Sequence, residues 1–139
     1  MTQTPTIPLS FDLHLAKPFP QALALVRDAL KAEGFGILTE IDLQAAFREK
    51  LGKPFRDFHI LGACNPPLAY QAVTADPAVA LLLPCNVSVE ADTQGGSLVR
   101  FTNPEALLAS SPAASELVAI AQDARARLER ASKSLQAPA

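Results

Sequence analysis

From Leu9 to Leu15 apolar and polar residues alternate, with Leu9, Phe11, Leu13 and Leu15 set against Ser10, Asp12 and His14. Period two predicts a strand with one buried face and leaves His14 on the polar side. The spacing then changes. In KPFPQALALVRDALKAEGFG, Leu23, Val26, Ala29, Leu30 and Glu33 follow helical periodicity, with Pro20 suited to a first turn and Gly34 to a C-terminal cap. GFGILTEI (34–41) reads as a short, mostly buried strand. Asp42 suits the N-cap of a second helix, LQAAFREKLG, with Leu43, Ala46, Phe47 and Leu51 inward and Gly52 and Pro54 as its stop.

FRDFHILGA (55–63) is apolar on both faces toward its end, as a central strand would be. Asn65 and Pro66 give an N-cap and first residue for the helix PPLAYQAVTA, and Asp76-Pro77 repeats the device for the turn AVALL. Cys85, Val87, Val89 and Ala91 alternate with Asn86, Ser88, Glu90 and Asp92. That strand runs through TQGG into its return, SLVRFT, as a hairpin. Asn103-Pro104 starts a short helix. Ser111-Pro112 opens the last helix, to about Leu135, with Leu117, Ala121, Ala124, Leu128, Ala131 and Leu135 in a heptad-like seam. The seam fits packing on the sheet; the alternative is a helix that also meets its own copy.

The order β-α-β-α-β-α-β-β-α predicts an α+β fold in one compact domain of 139 residues. It has a sheet of about five strands with helices mainly on one face, and loose tails at 1–6 and 136–139. A doubly wound parallel sheet is the alternative, but the glycine-rich phosphate turns of such folds are missing.

Composition narrows the partners. Hydrophobic residues make up 49% and charged residues 19%, the latter below the roughly 25% usual for globular domains. Apolar surface is left over, and self-association is expected. The net charge is −2, with no basic stripe and no Trp, so nucleic acid is not expected as a partner. The N-terminal stretch lacks the features of a signal peptide and no apolar run is long enough to span a membrane. A cytoplasmic protein with reduced thiols is expected.

The candidate chemistry gathers at two segments, GACNPPLAY (62–70) and LLPCNVSVE (82–90). They hold the chain's two cysteines, Cys64 and Cys85, each followed by an asparagine, Asn65 and Asn86. If their strands are neighbours, two thiols and two amides meet at one end of the sheet and line a small pocket. Two Cys and two His without paired ligand spacing do not make a structural zinc site. A nucleophilic Cys64 would need a thiolate. The end of the helix at Pro66 would favour one, but Pro66 and Pro67 remove two N–H donors. His59 is the one nearby base, on the opposite face of a regular strand unless a bulge near Gly62 intervenes. Cys85 shares parity with Val87 and Val89, which places it in the core. Glu40, Asp42, Asp57, Glu90 and Asp92 read as solvated surface charges.

The motifs GFG (34–36), TEID (39–42), KLG (50–52), ILGACNPPLAY (60–70) and LLLPCNV (81–87) closely resemble the bacterial and archaeal family called domain of unknown function 302, over about 22–102. That resemblance implies a compact α+β fold and homodimers. It implies no activity, and it places Cys64, Asn65, Pro66, Cys85 and Asn86 in the family's two signature motifs. The segment from Pro112 onward lies outside the strongest likeness. The reading carried forward is a dimeric small-molecule or metal-ion binding module with a site at Cys64, Asn65, Cys85, Asn86 and His59, its cofactor unspecified. The alternatives are a structural or interaction protein without a ligand and a thiol-dependent redox enzyme using Cys64.

Overall fold

The computed structural model describes residues 7–136. Of the two expected tails, all but Gln136 lies outside them. The elements are β1 (Ser10–Leu15), α1 (Phe19–Ala32), β2 (Gly36–Asp42), α2 (Leu43–Leu51), β3 (Phe58–Cys64), α3 (Pro66–Ala75), a 3-10 turn (Pro77–Leu82), β4 (Cys85–Ala91), β5 (Ser97–Thr102), α4 (Pro104–Leu108) and α5 (Ala114–Gln136). The five strands form one sheet in the order β1-β5-β4-β3-β2, and every pairing is antiparallel. The fold is α+β, and the parallel alternative falls.

Cross-strand register shows how alternation becomes a core. Leu61 pairs with Val87, Val87 with Phe101, and Phe101 with Phe11. His59, Val89, Val99 and Leu13 form the adjoining row. Opposed residues share a face, and this face is covered by α1 through Ala22, Val26 and Leu30 and by α5 through Leu128 and Ala131. Phe11 and Phe101 stack at 5.3 Å. The α5 seam is consumed inside the domain. Its C-terminal half lies on the sheet and α1, while Leu117 and Ala121 join Ala72, Val79 and Leu108 in a second cluster under α3 and α4. No stripe of that seam is left for a copy of the helix. The helix itself starts at Ala114, because Ser111 is held by Asp76 and forms a turn that receives Ala113 and Ala114.

Two expectations of burial are corrected. β2 is an edge strand and almost wholly exposed, with only Ile37 partly covered and Leu38 67% exposed. Apolar composition suggested burial, but the helices lie over the middle of the sheet and leave this edge open. No residue of α2 is fully buried, and Leu51 is 63% exposed. Phe47 meets Phe55 edge-on at 4.9 Å, and Gln44 Nε2 donates to the Phe55 carbonyl at 2.9 Å.

Of the five carboxylates read as solvated charges, Glu40, Asp42 and Asp57 are exposed, but Glu90 is corrected. On the sheet face away from the helices, Glu90 is 6% exposed. It bonds to Arg100 and, at 2.6 Å, to Arg56, whose guanidinium lies over the Phe55 and Phe58 rings. Asp92 accepts from the backbone of Gln94 and Gly96 and from His14, fixing the β4–β5 turn. Among the described residues no helix is long and apolar enough to cross a membrane.

Candidate functional site

β3 and β4 are adjacent, and their register brings the two Cys-Asn segments together: Gly62 opposes Asn86 and Ala63 opposes Cys85. One glycine makes this possible. A Cβ on Gly62 would lie 2.1 Å from Thr39 Oγ1 and 2.8 Å from Pro84 Cγ. The end of β3 is therefore squeezed between the edge strand and the residue before Cys85.

Beyond these strand ends lies a pocket between the two core clusters. Its floor is Ala63, Cys85 and Phe35, its near wall Cys64, Asn65 and Leu68, and its far wall comes from α4 and α5 through Leu107, Leu108, Ile120 and Ala124. The cavity proper is small, about 40 Å³, room for about three waters. It opens outward to a space of about 460 Å³ counted to the solvent at its mouth. The lining is nearly all apolar, and none of the lining residues is charged.

Asn65 is 8% exposed and caps α3, its Oδ1 accepting the Leu68 N–H at 3.3 Å. Its amide nitrogen faces Gly34, where a Cβ would lie 3.0 Å from Nδ2. Gly34 also has φ +86°, a left-handed conformation that side chains rarely adopt. The GFG and CNPP segments thus meet in space.

The thiols are free. Burial pushes the Cys85 thiol up to about 11, with the neighbouring Cys64 adding to the rise. Burial raises Cys64 as well. The lowering expected from the helix end does not prevail: Pro66 and Pro67 offer no N–H, and the Leu68 N–H is taken by Asn65. Both sulfurs are therefore thiols at neutral pH. Iodoacetamide labelling across pH is expected to give Cys64 a midpoint above the ordinary free-thiol value of about 8.5 and to leave Cys85 unlabelled until the chain unfolds. A Cys64 midpoint below that value would restore the thiolate reading.

The remaining sequence candidates fall elsewhere. Asn86 is exposed on the opposite sheet face from Cys85 and does not line the pocket; its carbonyl accepts from Thr102 Oγ1 at 2.6 Å. His59 lies five residues before Cys64, roughly 16 Å along an extended strand. The β3–β4 register is unbroken, and the irregularity falls in β2, between Ile37 and Thr39. His59 instead meets Glu40 at 2.5 Å and Asp42 at 3.5 Å and packs edge-on against Phe19. Arg27 bonds to the same Glu40 and, with His59, outweighs burial to hold its carboxyl below the usual range. Among the described residues no group of three or more His, Cys, Asp or Glu is arranged to hold a metal ion.

Sequence reasoning missed the far wall. Its α4 and α5 residues carry no motif, and the one available signal was that Asn103-Pro104 repeats the cap-and-proline device of Asn65-Pro66.

A family model described as domain of unknown function DUF302 matches residues 11–135, a stretch that takes in α5. Among solved structures, the crystal structure of an uncharacterized conserved protein DUF302 from Bacillus stearothermophilus is similar, with a TM-score of 0.79 and 25% identity. The match covers 91% of this chain and 98% of that one. No curated protein matches.

Proposed function

The chain belongs to the DUF302 family, and we propose that it is a small-molecule binding module whose site is the pocket at the ends of β3 and β4. The observation that carries this reading is the convergence of both Cys-Asn segments, far apart in sequence, on one apolar pocket containing a buried amide. Pockets of that make-up, mostly apolar with a few placed polar groups, are where small ligands bind. The residues we assign to it are Cys64, Asn65 and Cys85. The metal-ion form has less support, since two protonated thiols are a poor ligand set for a cation. The thiol-enzyme form is weakened by the same raised thiols.

We also propose that the protein is a homodimer. The open β2 edge, with Leu38 67% and Ile41 48% exposed, supports it.

Native mass spectrometry of the reduced protein tests both proposals. The expected result is a dimer mass carrying a small added mass that is lost on denaturation and is absent from Asn65→Ala. That variant should still fold, with a loss of about 1 kcal/mol for the missing cap. An added mass retained by Asn65→Ala would remove the pocket from the site. A clean wild-type mass, with Asn65→Ala costing stability alone, would favour the structural reading, in which both segments only shape turns.

A further inference from the structure

We infer that the pocket takes the methyl end of an unbranched aliphatic chain and leaves the chain's polar head in solvent at the mouth; the inference rests on the binding-module reading above.

The two core clusters do not join. Phe35 and Ala63 belong to the cluster on the sheet, Ala72 and Leu108 to the cluster under α3 and α4, and all of them line the pocket between. Cys85 and Ala124 also line it and are buried, yet neither is part of either cluster. Ala63, Ala69, Ala72 and Ala124 stand where longer side chains would close the gap. Protein interiors are otherwise close-packed. A hydrocarbon in this gap would join the two clusters through burial and dispersion contacts.

The lining selects hydrocarbon. It contains no Lys, Arg, His, Asp or Glu, and both thiols are protonated at neutral pH. Asn65 is its one amide, with Oδ1 accepting from Leu68 and the nitrogen set against Gly34. A polar head drawn inside would lose its hydration without a partner. The apolar lining also continues outward. Leu68, Leu83, Leu107 and Ile120 are partly exposed and line the same pocket, so a chain meets apolar side chains from floor to mouth. Shape then selects a chain over a ring. The enclosed part, about 40 Å³, is far below the about 150 Å³ of an apolar cavity that holds benzene. A chain end is narrower than a ring, and the outer space of about 460 Å³ takes the methylenes that follow.

The test is an amide-resolved NMR titration of the full chain with 1-butanol, 1-hexanol, 1-octanol, heptanoate and cyclohexanol. We expect saturable shifts at Ala63, Cys85, Leu108 and Ala124, with affinity along the alkanols rising about fourfold for each added methylene. Heptanoate, which carries the same hexyl chain, should match 1-hexanol, because the head stays outside. Cyclohexanol should bind more weakly than 1-hexanol. Ala124→Leu fills the interior and should remove the dependence on chain length. Ala69→Leu, at a partly exposed position in neither core cluster, narrows the pocket and should do the same if Ala124→Leu does not fold. Equal affinity from 1-butanol to 1-octanol, or cyclohexanol binding as tightly as 1-hexanol, would overturn the chain and leave the site standing. Heptanoate far weaker than 1-hexanol would overturn the placement of the head. A length dependence that survives in both variants would put the chain outside this pocket. Cosedimentation with phosphatidylcholine vesicles, lost in Ala69→Leu, would make a bilayer lipid the source of the chain; alkanol binding without it makes the source a free molecule. If no probe shifts these amides in a protein that carries the added mass described above, the chain falls alone; with no added mass either, the binding module falls with it.

Discussion

Gly62→Ala is expected to lower stability by about 2 kcal/mol, within the range for overpacked interiors, and to lower the melting temperature by roughly 6–10 °C for a chain of this size. The added methyl would meet Thr39 Oγ1 at 2.1 Å and Pro84 Cγ at 2.8 Å. The threonine hydroxyl can rotate away, but the proline ring yields only a few tenths of an ångström, so β3 and the chain before β4 must part. That displacement falls where the two Cys-Asn segments converge. Gly36→Ala is the control. It lies at the same end of the sheet, opposite Cys64, and its Cβ would meet only the Cys64 carbonyl, at 4.0 Å. It should stay within about 0.5 kcal/mol of wild type. Equal losses in the two variants, measured by urea denaturation, would show that the close approach of β3 to Pro84 does not hold the site together.

Glu90→Gln is expected to cost about 1–2 kcal/mol at pH 7, the scale of hydrogen bonds to a charged group. The cost falls below that of a fully buried pair because Arg56 and Arg100 are 48% and 41% exposed. The cost should also depend on pH. Burial pushes the Glu90 carboxyl up, but Arg100 and Arg56 outweigh it and hold the group below its ordinary value of 4.5. A depressed carboxylate binds its proton less readily in the folded state than in the unfolded one. Its contribution is therefore complete above the ordinary value and is lost as pH falls through the lowered one. The gap between wild type and Glu90→Gln should shrink as pH falls below about 4. A gap that stays constant from pH 7 to pH 3 would show that shape, and not charge, supports this face of the sheet.

Glu90 also marks where one sequence stops being informative. Alternation places it correctly on the face away from the helices. What that face looks like depends on Phe58 and Leu98 opposite it in the register and on Arg56 from the loop before β3. Those neighbours come from two separate segments. The same holds for β2: its residues are apolar enough for an interior strand, and only the strand order shows it at an edge.

Local chemistry settled a good deal. Period two in β1, β4 and β5, helical spacing in α1 and α5, and the cap-and-proline pairs at Asn65, Asp76 and Asn103 are short-range effects of side-chain direction and orphan backbone groups. They were legible because each is decided within a few residues. They also placed Cys85 in the core and His14 on the surface. Whether the two Cys-Asn segments meet, which thiol charges more easily, that His59 pairs with Glu40 and not with a cysteine, and that α4 and α5 close the pocket are long-range matters. Strand order and register decide them, because those alone determine which desolvated groups share a space. Cys64, Asn65 and Cys85 were visible in the sequence as candidates; that they line an uncharged pocket closed by α4 and α5 came only with the fold.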